Sequence, residues 1–448
     1  METSSLSPLD ERYFEQTKQL RSYFSEMAFF SYRFFVEVKY FINLIDVLPE
    51  LEPLIKDKEF INETLMNYYH FFTIEDYKTI KEYEKQTNHD VKALEYYIAD
   101  KFKNNGLEKY IPFIHFGITS QDVNTSANIL ALKDGITNVL IPQLKEIIKI
   151  LYTYGNEMKT NIMLSFTHGQ AAVPTTMGKE LMVYKYRLNE QLENLKNVKY
   201  STKFGGAVGN FNAHKLAYPN INWNSFADNL IVNGLSLSRE NMTTQISNYD
   251  NLCNILNLIK TINNIINDLN IDCWLYISKG YMVQRINKEE TGSSTMPHKV
   301  NPINFENSEG NICIANALIE GITRKLSISR LQRDLTDSTI LRNMGVLFGH
   351  SLLSYKSTLT GLNKISINNE LLEKELEENK AVLSEGIQTV MRKHTMENAY
   401  ETLKYLTRTN EKITDETLQD FIVTLPDNIK EDLKDLSMKN YIGYSGEI

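Results

Sequence analysis

Apolar residues recur three and four positions apart over long stretches in the middle of the chain. Four such stretches span residues 176–198, 248–279, 306–329 and 342–362. A fifth, 127–160, runs through Ile129, Leu132, Ile136, Val139, Leu140, Leu144, Ile147, Ile148 and Leu151. This spacing places the apolar residues on one face of an α-helix. We therefore predict five long helices, the one in 127–160 kinked near Pro142, and no strand of any length because alternating patterns are missing.

The helical stretches define the predicted architecture. Several are apolar over more than half of their circumference, so we expect burial between subunits as well as within one; a large monomeric bundle is the alternative. The sequence at 104–117 and again at 361–380 interrupts the helical pattern. We predict an all-α fold with an N-terminal helical domain at 1–110, a central long-helix bundle at 111–362 and a C-terminal helical domain at 363–448.

The net charge and the cysteines indicate the cellular compartment and exclude some classes of binding partner. The net charge of −8 argues against a general nucleic-acid-binding protein, which usually has a basic face. The three cysteines, Cys253, Cys273 and Cys313, are widely spaced in apolar helical sequence, which indicates buried thiols in a reducing compartment and no metal motif. The first residues do not have the pattern of a signal peptide, and no apolar run reaches the ~18 residues of a membrane span. We expect a cytoplasmic protein with no nucleic-acid or membrane partner.

Short polar segments interrupt the helical sequence, and they carry the candidate chemistry. They are SPLDERY (7–13), QTNHDVKALEYY (86–97), HFGITSQDVN (115–124), LSFTHGQAAVPTTMGKE (164–180), GGAVGNFNAH (205–214), TTQISNYD (243–250), ETGSSTMPHKVNPINFENSEGN (290–311) and LQRDLTDSTILRN (331–343). Their cations are Arg12, Lys92, Lys299, Arg333 and Arg342, and their imidazoles are His89, His115, His168, His214 and His298. Such a set suits a polyanionic small molecule and acid–base chemistry by histidine.

Among the histidines, His168 is the strongest candidate for catalysis. It lies between Thr167 and Gly169 in a polar loop that follows an apolar run. A single histidine is more often structural, and His70, His350 and His394 lie in ordinary helical sequence. The chain has no G-x-x-x-x-G-K-[ST], G-x-G-x-x-G, H-E-x-x-H or C-x-x-C motif. We therefore predict no nucleoside-triphosphate loop, no NAD site, no metal and no cofactor.

These segments resemble a known family. GSSTMPHKVNP (292–302) is similar to the signature loop of the fumarase/aspartase superfamily, and the order of the other segments resembles its adenylosuccinate lyase family, in the bacterial-type branch that ends in NYIG (440–443). The resemblance covers residues 7–443. It implies an all-α, three-domain subunit, a homotetramer with a 20-helix core, active sites that take residues from three subunits, and β-elimination of fumarate from adenylosuccinate and SAICAR without a cofactor.

The resemblance also implies roles for individual residues. Ser293 would be the general base, acting as an alkoxide favoured by Lys299, and His168 the general acid, with Glu306 orienting its ring. His89 is the alternative acid. Lys92 and His298 would support the site. The implied substrate-binding residues are Arg12, Tyr13, Asn88, His89, Asp90, Thr119, Ser120, Gln245, Ser294, Lys299, Val300, Asn301, Asn307, Arg333, Ser338, Thr339 and Arg342.

The resemblance assigns these binding residues to different parts of the substrate. Arg12 and Tyr13, from a neighbouring subunit, would anchor phosphate and ribose, and the second phosphate-side cluster runs from Arg333 to Arg342. Asn88, His89 and Asp90 would line the nucleotide side. Thr119 and Ser120 would donate to the succinyl carboxylates, Gln245 would make an amide contact, and the segment from Ser294 to Asn307 would hold the succinyl part.

Other members of the superfamily are the competing interpretations. Argininosuccinate lyase, fumarase and aspartase share the signature loop, but fumarase and aspartase have no phosphate to bind, which would leave Arg12, Arg333 and Arg342 unexplained. A non-catalytic homologue is an interpretation from another class. It is disfavoured because Ser293, His168 and Lys299 are all present.

Overall fold

The computed structural model describes residues 5–285, 296, 298–407 and 413–447, apart from the side chains of 405–407. The chain forms two compact units. Unit 1 comprises Met1–Gln143, Gln191–Asn263 and Gly310–Ser354, and unit 2 comprises Leu144–Glu190, Asn264–Glu309 and Tyr355–Ile448. The division into three domains at 110 and 362 stays a prediction.

Helices dominate the described residues, in agreement with the predicted all-α class. The α-helices are α1 Phe14–Thr17, α2 Arg21–Phe24, α3 Glu26–Leu44, α4 Lys58–His70, α5 Ile74–Thr87, α6 Asp90–Asn104, α7 Ser120–Gly135, α8 Ile141–Glu157, α9 Met177–Lys196, α10 Asn212–Ala217, α11 Trp223–Asp228, α12 Asp250–Lys279, α13 Ile303–Leu326, α14 Thr336–Leu341, α15 Met344–Leu362, α16 Asn369–Glu378, α17 Ser384–Lys393, α18 Ala399–Thr407, α19 Asp415–Val423 and α20 Asp427–Leu433.

Short helical turns of other types join these elements. The 3₁₀ segments are Pro8–Asp10, Lys18–Leu20, Pro49–Asp57, Glu108–Phe113, Lys380–Leu383 and Gly443–Gly446, and the π segments are Ile136–Leu140 and Asn229–Gly234. The first π segment follows α7 and precedes Pro142. Because proline donates no backbone hydrogen bond, this position accounts for the irregularity that the sequence predicts there.

Strands occur only as short pairs in the described residues, which corrects the prediction that they are absent. Antiparallel β1 (Ile162–Thr167) and β2 (Gln170–Thr176) form a hairpin in unit 2. Parallel β3 (Ser201–Thr202) and β4 (Ser238–Arg239) lie in unit 1, and antiparallel β5 (Met282–Gln284) and β6 (Ile365–Ile367) in unit 2. The β1 run, IMLSFT, is mostly apolar and lacks strict alternation, so its pattern does not distinguish a strand from a buried loop.

The five predicted long helices correspond to observed helices with ends shifted by a few residues, except that the one predicted over 127–160 is divided by the π segment into α7 and α8. In α12 the predicted apolar stripe is buried: Leu252, Ile255, Leu256, Ile259, Ile262, Ile266 and Leu269 are all at most 4% exposed. Burial of this stripe drives the formation of the helix, since tertiary packing contributes more to helix stability than intrinsic propensity does.

Buried polar side chains connect three long helices within unit 2. The Asn270 amide on α12 donates to Ser308 Oγ on α13 at 2.7 Å, and its carbonyl oxygen accepts from Thr358 on α15 at 2.9 Å. The two hydroxyls lie 2.8 Å apart. Since all three side chains are buried, a shift of one helix along another would leave polar groups without partners. The triad therefore fixes the register of these helices.

The cysteines differ from the prediction in one respect. Cys253 and Cys273 are buried, as expected, but Cys313 is exposed because its neighbour Ile312 occupies the inward position on α13. Across the described residues, no helix combines the length and apolar character that a membrane span requires. In the same part of the chain, no group of three or more His, Cys, Asp and Glu side chains is arranged to hold a metal ion.

Candidate active site

A cavity of about 640 Å³ lies within unit 1, between α3, the α5–α6 turn, α7 and the segment from Arg333 to Gly345. It brings together residues from three separate polar segments, 86–97, 115–124 and 331–343. The predicted site residues in its wall are Asn88, His89, Asp90, Ser120, Arg333, Ser338 and Arg342. The cavity combines a cationic side with donors and acceptors of several kinds, which suits an anionic ligand with a polar body.

The α5–α6 turn presents Asn88 and His89 in a fixed orientation. Asn88 ends α5 in the left-handed conformation (φ 51°), which asparagine tolerates better than most residues. His89 caps α6, and its Nδ1 accepts a hydrogen bond from the Lys92 backbone N–H at 3.1 Å. Because Nδ1 is an acceptor, the neutral ring carries its proton on Nε2. His89 is 54% exposed and therefore offers an Nε2–H donor to a ligand.

Arg33, which the sequence analysis did not identify, fixes the position of this turn from its buried side. Its side chain is 5% exposed, donates to Asp90 Oδ2 at 2.6 Å and to Asn124 Oδ1 at 2.8 Å, and lies 3.9 Å from the centroid of the Phe29 ring. Burial lowers the pKa of Arg33, with a contribution from Arg342, whereas Asp90 opposes the change. Burial also opposes ionisation of Asp90, but Arg33 outweighs it and keeps the pKa of Asp90 below its ordinary value.

A second group of predicted residues is connected through Arg333. The guanidinium donates from Nη1 to Gln245 Oε1 and from Nη2 to Ser338 Oγ, both at 3.3 Å. The Gln245 amide donates in turn to the Ala207 carbonyl at 2.9 Å. These bonds hold the planar fork of Arg333 at the cavity wall, and such a fork matches the oxygens of a phosphate.

Several predicted residues of unit 1 lie outside the cavity wall. Arg12 is exposed and its guanidinium lies 5.7 Å from the centroid of the Tyr13 ring. Lys92 is exposed and pairs with Glu95 on its own helix at 2.7 Å. Thr119 precedes α7, where its N–H donates to Asp122 Oδ2 at 2.8 Å. Gln245 and Thr339 are likewise absent from the lining.

In unit 2, His168 occupies the tip of the β1–β2 hairpin. Thr167 pairs with Gln170, so His168 and Gly169 form a two-residue loop. Both have positive φ, 54° and 75°, as a type I′ turn requires. The turn presents an exposed imidazole on a rigid pair of strands rather than on an irregular loop. The sequence predicted a loop at His168, and the structure shows that this loop is the two-residue turn of a hairpin.

The other predicted residues of unit 2 are divided between described and undescribed segments. Ser293 and Ser294 lie outside the described residues. His298, Lys299 and Val300 are exposed, and the Val300 carbonyl accepts from Gln284 at 2.9 Å. Further along, Asn301 is half-buried.

On α13, the two predicted residues bond to neighbouring helices of unit 2. Glu306 accepts from Trp274 Nε1 on α12 at 3.0 Å, and Asn307 Oδ1 accepts from Ser357 on α15 at 2.8 Å. The orientation of His168 by Glu306 stays a prediction.

Two further histidines of the polar segments lie in unit 1, His115 half-buried and His214 buried. The pKa of His115 is raised, because its 2.5 Å contact with Glu37 outweighs the opposing effect of burial. His214 is fully buried, and burial lowers its pKa to about 4. Its Nε2 lies 3.0 Å from the Tyr40 hydroxyl, which donates to the Phe116 carbonyl, so His214 is the donor to Tyr40.

Similarity to known sequences covers nearly the whole chain. Residues 11–315 match the family model described as Lyase, and 329–442 match the model described as Adenylosuccinate lyase C-terminal. The chain is 48% identical to an adenylosuccinate lyase of Dictyostelium discoideum over 98% of this chain and 96% of the relative. It is 46% identical to one of Legionella pneumophila (strain Corby), over 99% of this chain and 98% of the relative. The chain is 40% identical to one of Escherichia coli (strain K12), again over 99% of this chain and 98% of the relative.

Solved structures show the same fold at low sequence identity. A β-carboxy-cis,cis-muconate cycloisomerase from Acinetobacter calcoaceticus has a TM-score of 0.72 at 16% identity, covering 98% of both chains. A fumarate lyase from Mesorhizobium sp. BNC1 has the same TM-score and identity over 96% of both chains. The fold is thus shared with a fumarate lyase. The sequence identities of 40–48% over nearly the full length are to adenylosuccinate lyases in particular. This chain belongs to the adenylosuccinate lyase family of the fumarase/aspartase superfamily.

Proposed function

We propose that this protein is a carbon–nitrogen lyase of purine nucleotide biosynthesis that cleaves adenylosuccinate to AMP and fumarate, and SAICAR to AICAR and fumarate. The observation that carries this proposal is the 40–48% identity to adenylosuccinate lyases over nearly the whole chain. The cavity in unit 1 supports it, because its cationic wall of Arg333 and Arg342 suits the phosphate that both substrates carry.

The proposed reaction is a β-elimination. A base removes a proton from the carbon next to a succinyl carboxylate, the C–H electron pair becomes the C=C bond of fumarate, and the C–N pair leaves with the nitrogen. We assign Ser293 as the base that takes the proton and His168 as the acid that protonates the departing nitrogen. Lys299 would favour the Ser293 alkoxide and stabilise the developing aci-carboxylate. Glu306 would orient His168, with His298 and Lys92 supporting the site.

Substrate binding is assigned in two parts. Arg333, Ser338, Thr339 and Arg342 would hold the phosphate, with Arg12 and Tyr13 contributed by a neighbouring subunit. Asn88, His89 and Asp90 would line the nucleoside, and Gln245 would contact the substrate amide. The succinyl carboxylates would be held by Thr119, Ser120, Ser294, Lys299, Val300, Asn301 and Asn307. No resident metal or cofactor is part of this mechanism.

We propose a homotetramer in which each active site takes residues from three subunits. Large apolar side chains on the helices of unit 2 support this assembly: Ile303 is 60% exposed, Tyr186 62%, Leu275 45% and Trp274 40%. Large apolar side chains that share an exposed surface often mark a site that a partner covers. A cytoplasmic location is also proposed, and the free thiols of Cys253, Cys273 and Cys313 support a reducing compartment.

The test is a direct assay of the purified protein with adenylosuccinate and, separately, with SAICAR, without added metal or cofactor. Ultraviolet absorbance follows turnover and chromatography identifies fumarate and the nucleotide product. Release of AMP and fumarate is the expected result. If the folded protein converts neither substrate but acts on argininosuccinate, malate or aspartate, that activity would replace the proposed one. Inactivity on all of these substrates would indicate a non-catalytic homologue.

A further inference from the structure

The carboxylate of Asp122, in the first turn of α7, is the centre of a fully buried network in unit 1. Its Oδ1 accepts from Lys203 Nζ at 2.7 Å and from the Gly205 N–H at 2.8 Å. Its Oδ2 accepts from the Thr119 N–H at 2.8 Å, and the Gly206 N–H lies 3.2 Å from both oxygens. Asp122 therefore connects the start of α7 to the loop that follows β3. It is not among the predicted site residues.

Lys203 completes the network with an ammonium group that is also fully buried. Besides Asp122, its Nζ donates to the Gly206 carbonyl at 2.6 Å. Burial lowers the pKa of Lys203, and the Asp122 carboxylate opposes this change. A buried ion pair is weak evidence of a stabilising role, because desolvation of the two charges offsets their attraction. A specific geometric function is a better explanation for retaining it.

The loop that this pair holds is constrained to one conformation. Gly206 and Gly209 have φ of +76° and +79°, and a Cβ at Gly209 would lie 2.4 Å from the Thr243 carbonyl oxygen. The Phe211 N–H closes the loop onto the Gly205 carbonyl at 2.8 Å. The loop therefore packs closely against the segment that leads directly into Gln245.

From this loop a chain of hydrogen bonds leads to the cavity wall. The Ala207 carbonyl accepts from Gln245, Gln245 accepts from Arg333, and Arg333 donates to Ser338. The Gln121 amide, adjacent to Asp122, lies 3.4 Å from the same Ser338 hydroxyl. This series of hydrogen bonds thus begins at the loop that Asp122 holds and ends at Gln121, the residue next to Asp122.

We propose that Asp122 and Lys203 are a positioning pair that holds two groups of substrate-binding residues in register, Thr119–Ser120 on one side and Gln245–Arg333 on the other. Both side chains are 0% exposed, so they act through these residues and touch no substrate. This inference rests on the proposed function, because it assigns the two groups to the succinyl and phosphate ends of one substrate. A displacement of about 1 Å at such groups costs up to ~100-fold in rate.

The experiment compares Asp122→Asn, Lys203→Met and the double variant with wild type. Asp122→Asn keeps the volume but turns an amide NH₂ or a neutral oxygen towards Lys203 and the loop N–H groups. We expect KM for adenylosuccinate to rise about 10-fold or more, with AMP and fumarate both weaker as product inhibitors, because both groups move together. Tyr32→Phe is the matched control: it removes a 2.8 Å bond to the Asp134 carboxylate in the same unit and should leave these constants unchanged.

The outcomes separate the positioning role from a structural one. If wild type releases no fumarate, the proposed function fails before the variants are compared. If wild type is active and the folded single variants bind substrate, AMP and fumarate normally, with only a lower melting temperature, the pair is structural and the proposal is wrong. If the single variants do not fold, the charge-free double variant decides: weaker binding of both products supports positioning, and normal binding or failure to fold overturns it.

Discussion

Two sets of predicted site residues, those in the cavity wall of unit 1 and the pair His168 and Lys299 of unit 2, are held in different ways. In unit 1, Asp90 is bonded to Arg33 in the cavity wall, and Arg333 is bonded to Ser338 in the same wall and to Gln245 outside it. In unit 2, His168 is exposed at the tip of a hairpin, and Lys299 is exposed as well. The first set is organised by bonds within its own unit. The second set is presented at the surface.

This difference matches the tasks proposed for the two sets. Binding of a phosphate and a nucleoside is strengthened when donors are fixed before the ligand arrives, since less ordering is then required on binding. Groups that transfer protons need access to the reacting atoms, and in the proposed tetramer other subunits complete their surroundings. We therefore expect substitutions of the unit 1 set to change mainly KM and substitutions of the proton-transfer residues to change mainly kcat.

The largest effect is expected for Ser293→Ala. Removal of the proposed base should lower kcat by roughly 10⁴-fold, because proton removal from carbon has no other catalyst, while substrate still binds. Stopped assays measure the rate and calorimetry measures binding. A folded Ser293→Ala protein that no longer binds adenylosuccinate would contradict the division between binding and chemistry.

A similar test applies to His168→Asn, for which kcat should fall by roughly 10²- to 10³-fold with a small change in KM. The exposed His70, on α4 of unit 1, provides the control, and His70→Asn should behave as wild type. His89→Asn distinguishes the alternative acid: a larger loss of kcat in that variant than in His168→Asn would transfer the acid role to His89.

In unit 1, Arg33→Lys should raise KM about 10-fold with little change in kcat, because lysine keeps the charge but loses the fork that bonds Asp90 and Asn124 together. Arg239 offers a matched control. It is also 5% exposed and bonds Asp228, but it is absent from the cavity wall, so Arg239→Lys should leave KM unchanged. A fall in kcat with normal KM for Arg33→Lys would contradict the expectation that substitutions in unit 1 change mainly KM.

The smallest expected effect concerns stability and pH in unit 1. His214 has a pKa of about 4 in the folded chain against an ordinary value of 6.5, so the unfolded chain binds more protons between these values. Stability should therefore fall as pH decreases from 6.5 to 4, by at most about 3 kcal/mol from this residue. The raised pKa of His115 acts in the opposite sense. Denaturant unfolding of wild type and His214→Gln across this pH range measures the contribution of His214 to stability. Identical pH profiles of the two proteins would refute this contribution.

Much of the fold follows from the sequence because the long helices carry a strong periodic signal. The buried stripe of α12 lies where the spacing of Leu252 to Leu269 predicts it. The β1–β2 hairpin was missed because a two-residue turn with histidine at its first position resembles a polar loop, and its positive φ values have no clear signature outside glycine. The polar segments indicated which residues to consider, but not how they are arranged.

The residues that support the site could not be found in the same way. Arg33 lies in the aromatic helix sequence FFSYRFF, and its partners Asp90 and Asn124 are 57 and 91 positions away. Asp122 and Lys203 are 81 positions apart. Periodicity and local motifs report only on near neighbours, whereas these pairs are created by the packing of distant segments. A charged residue in an otherwise apolar helix is the one local signal that would have identified Arg33.

The central proposal is a tetramer in which each active site takes residues from three subunits, which predicts that Ser293 and His168 of one site can come from different subunits. The most direct measurement mixes inactive His168→Ala and Ser293→Ala proteins, reassembles them, and assays oligomers isolated with two different affinity tags. If the two residues of one site come from different subunits, random mixing restores about a quarter of the wild-type activity. Doubly tagged oligomers that remain as inactive as the separate variants would contradict the claim.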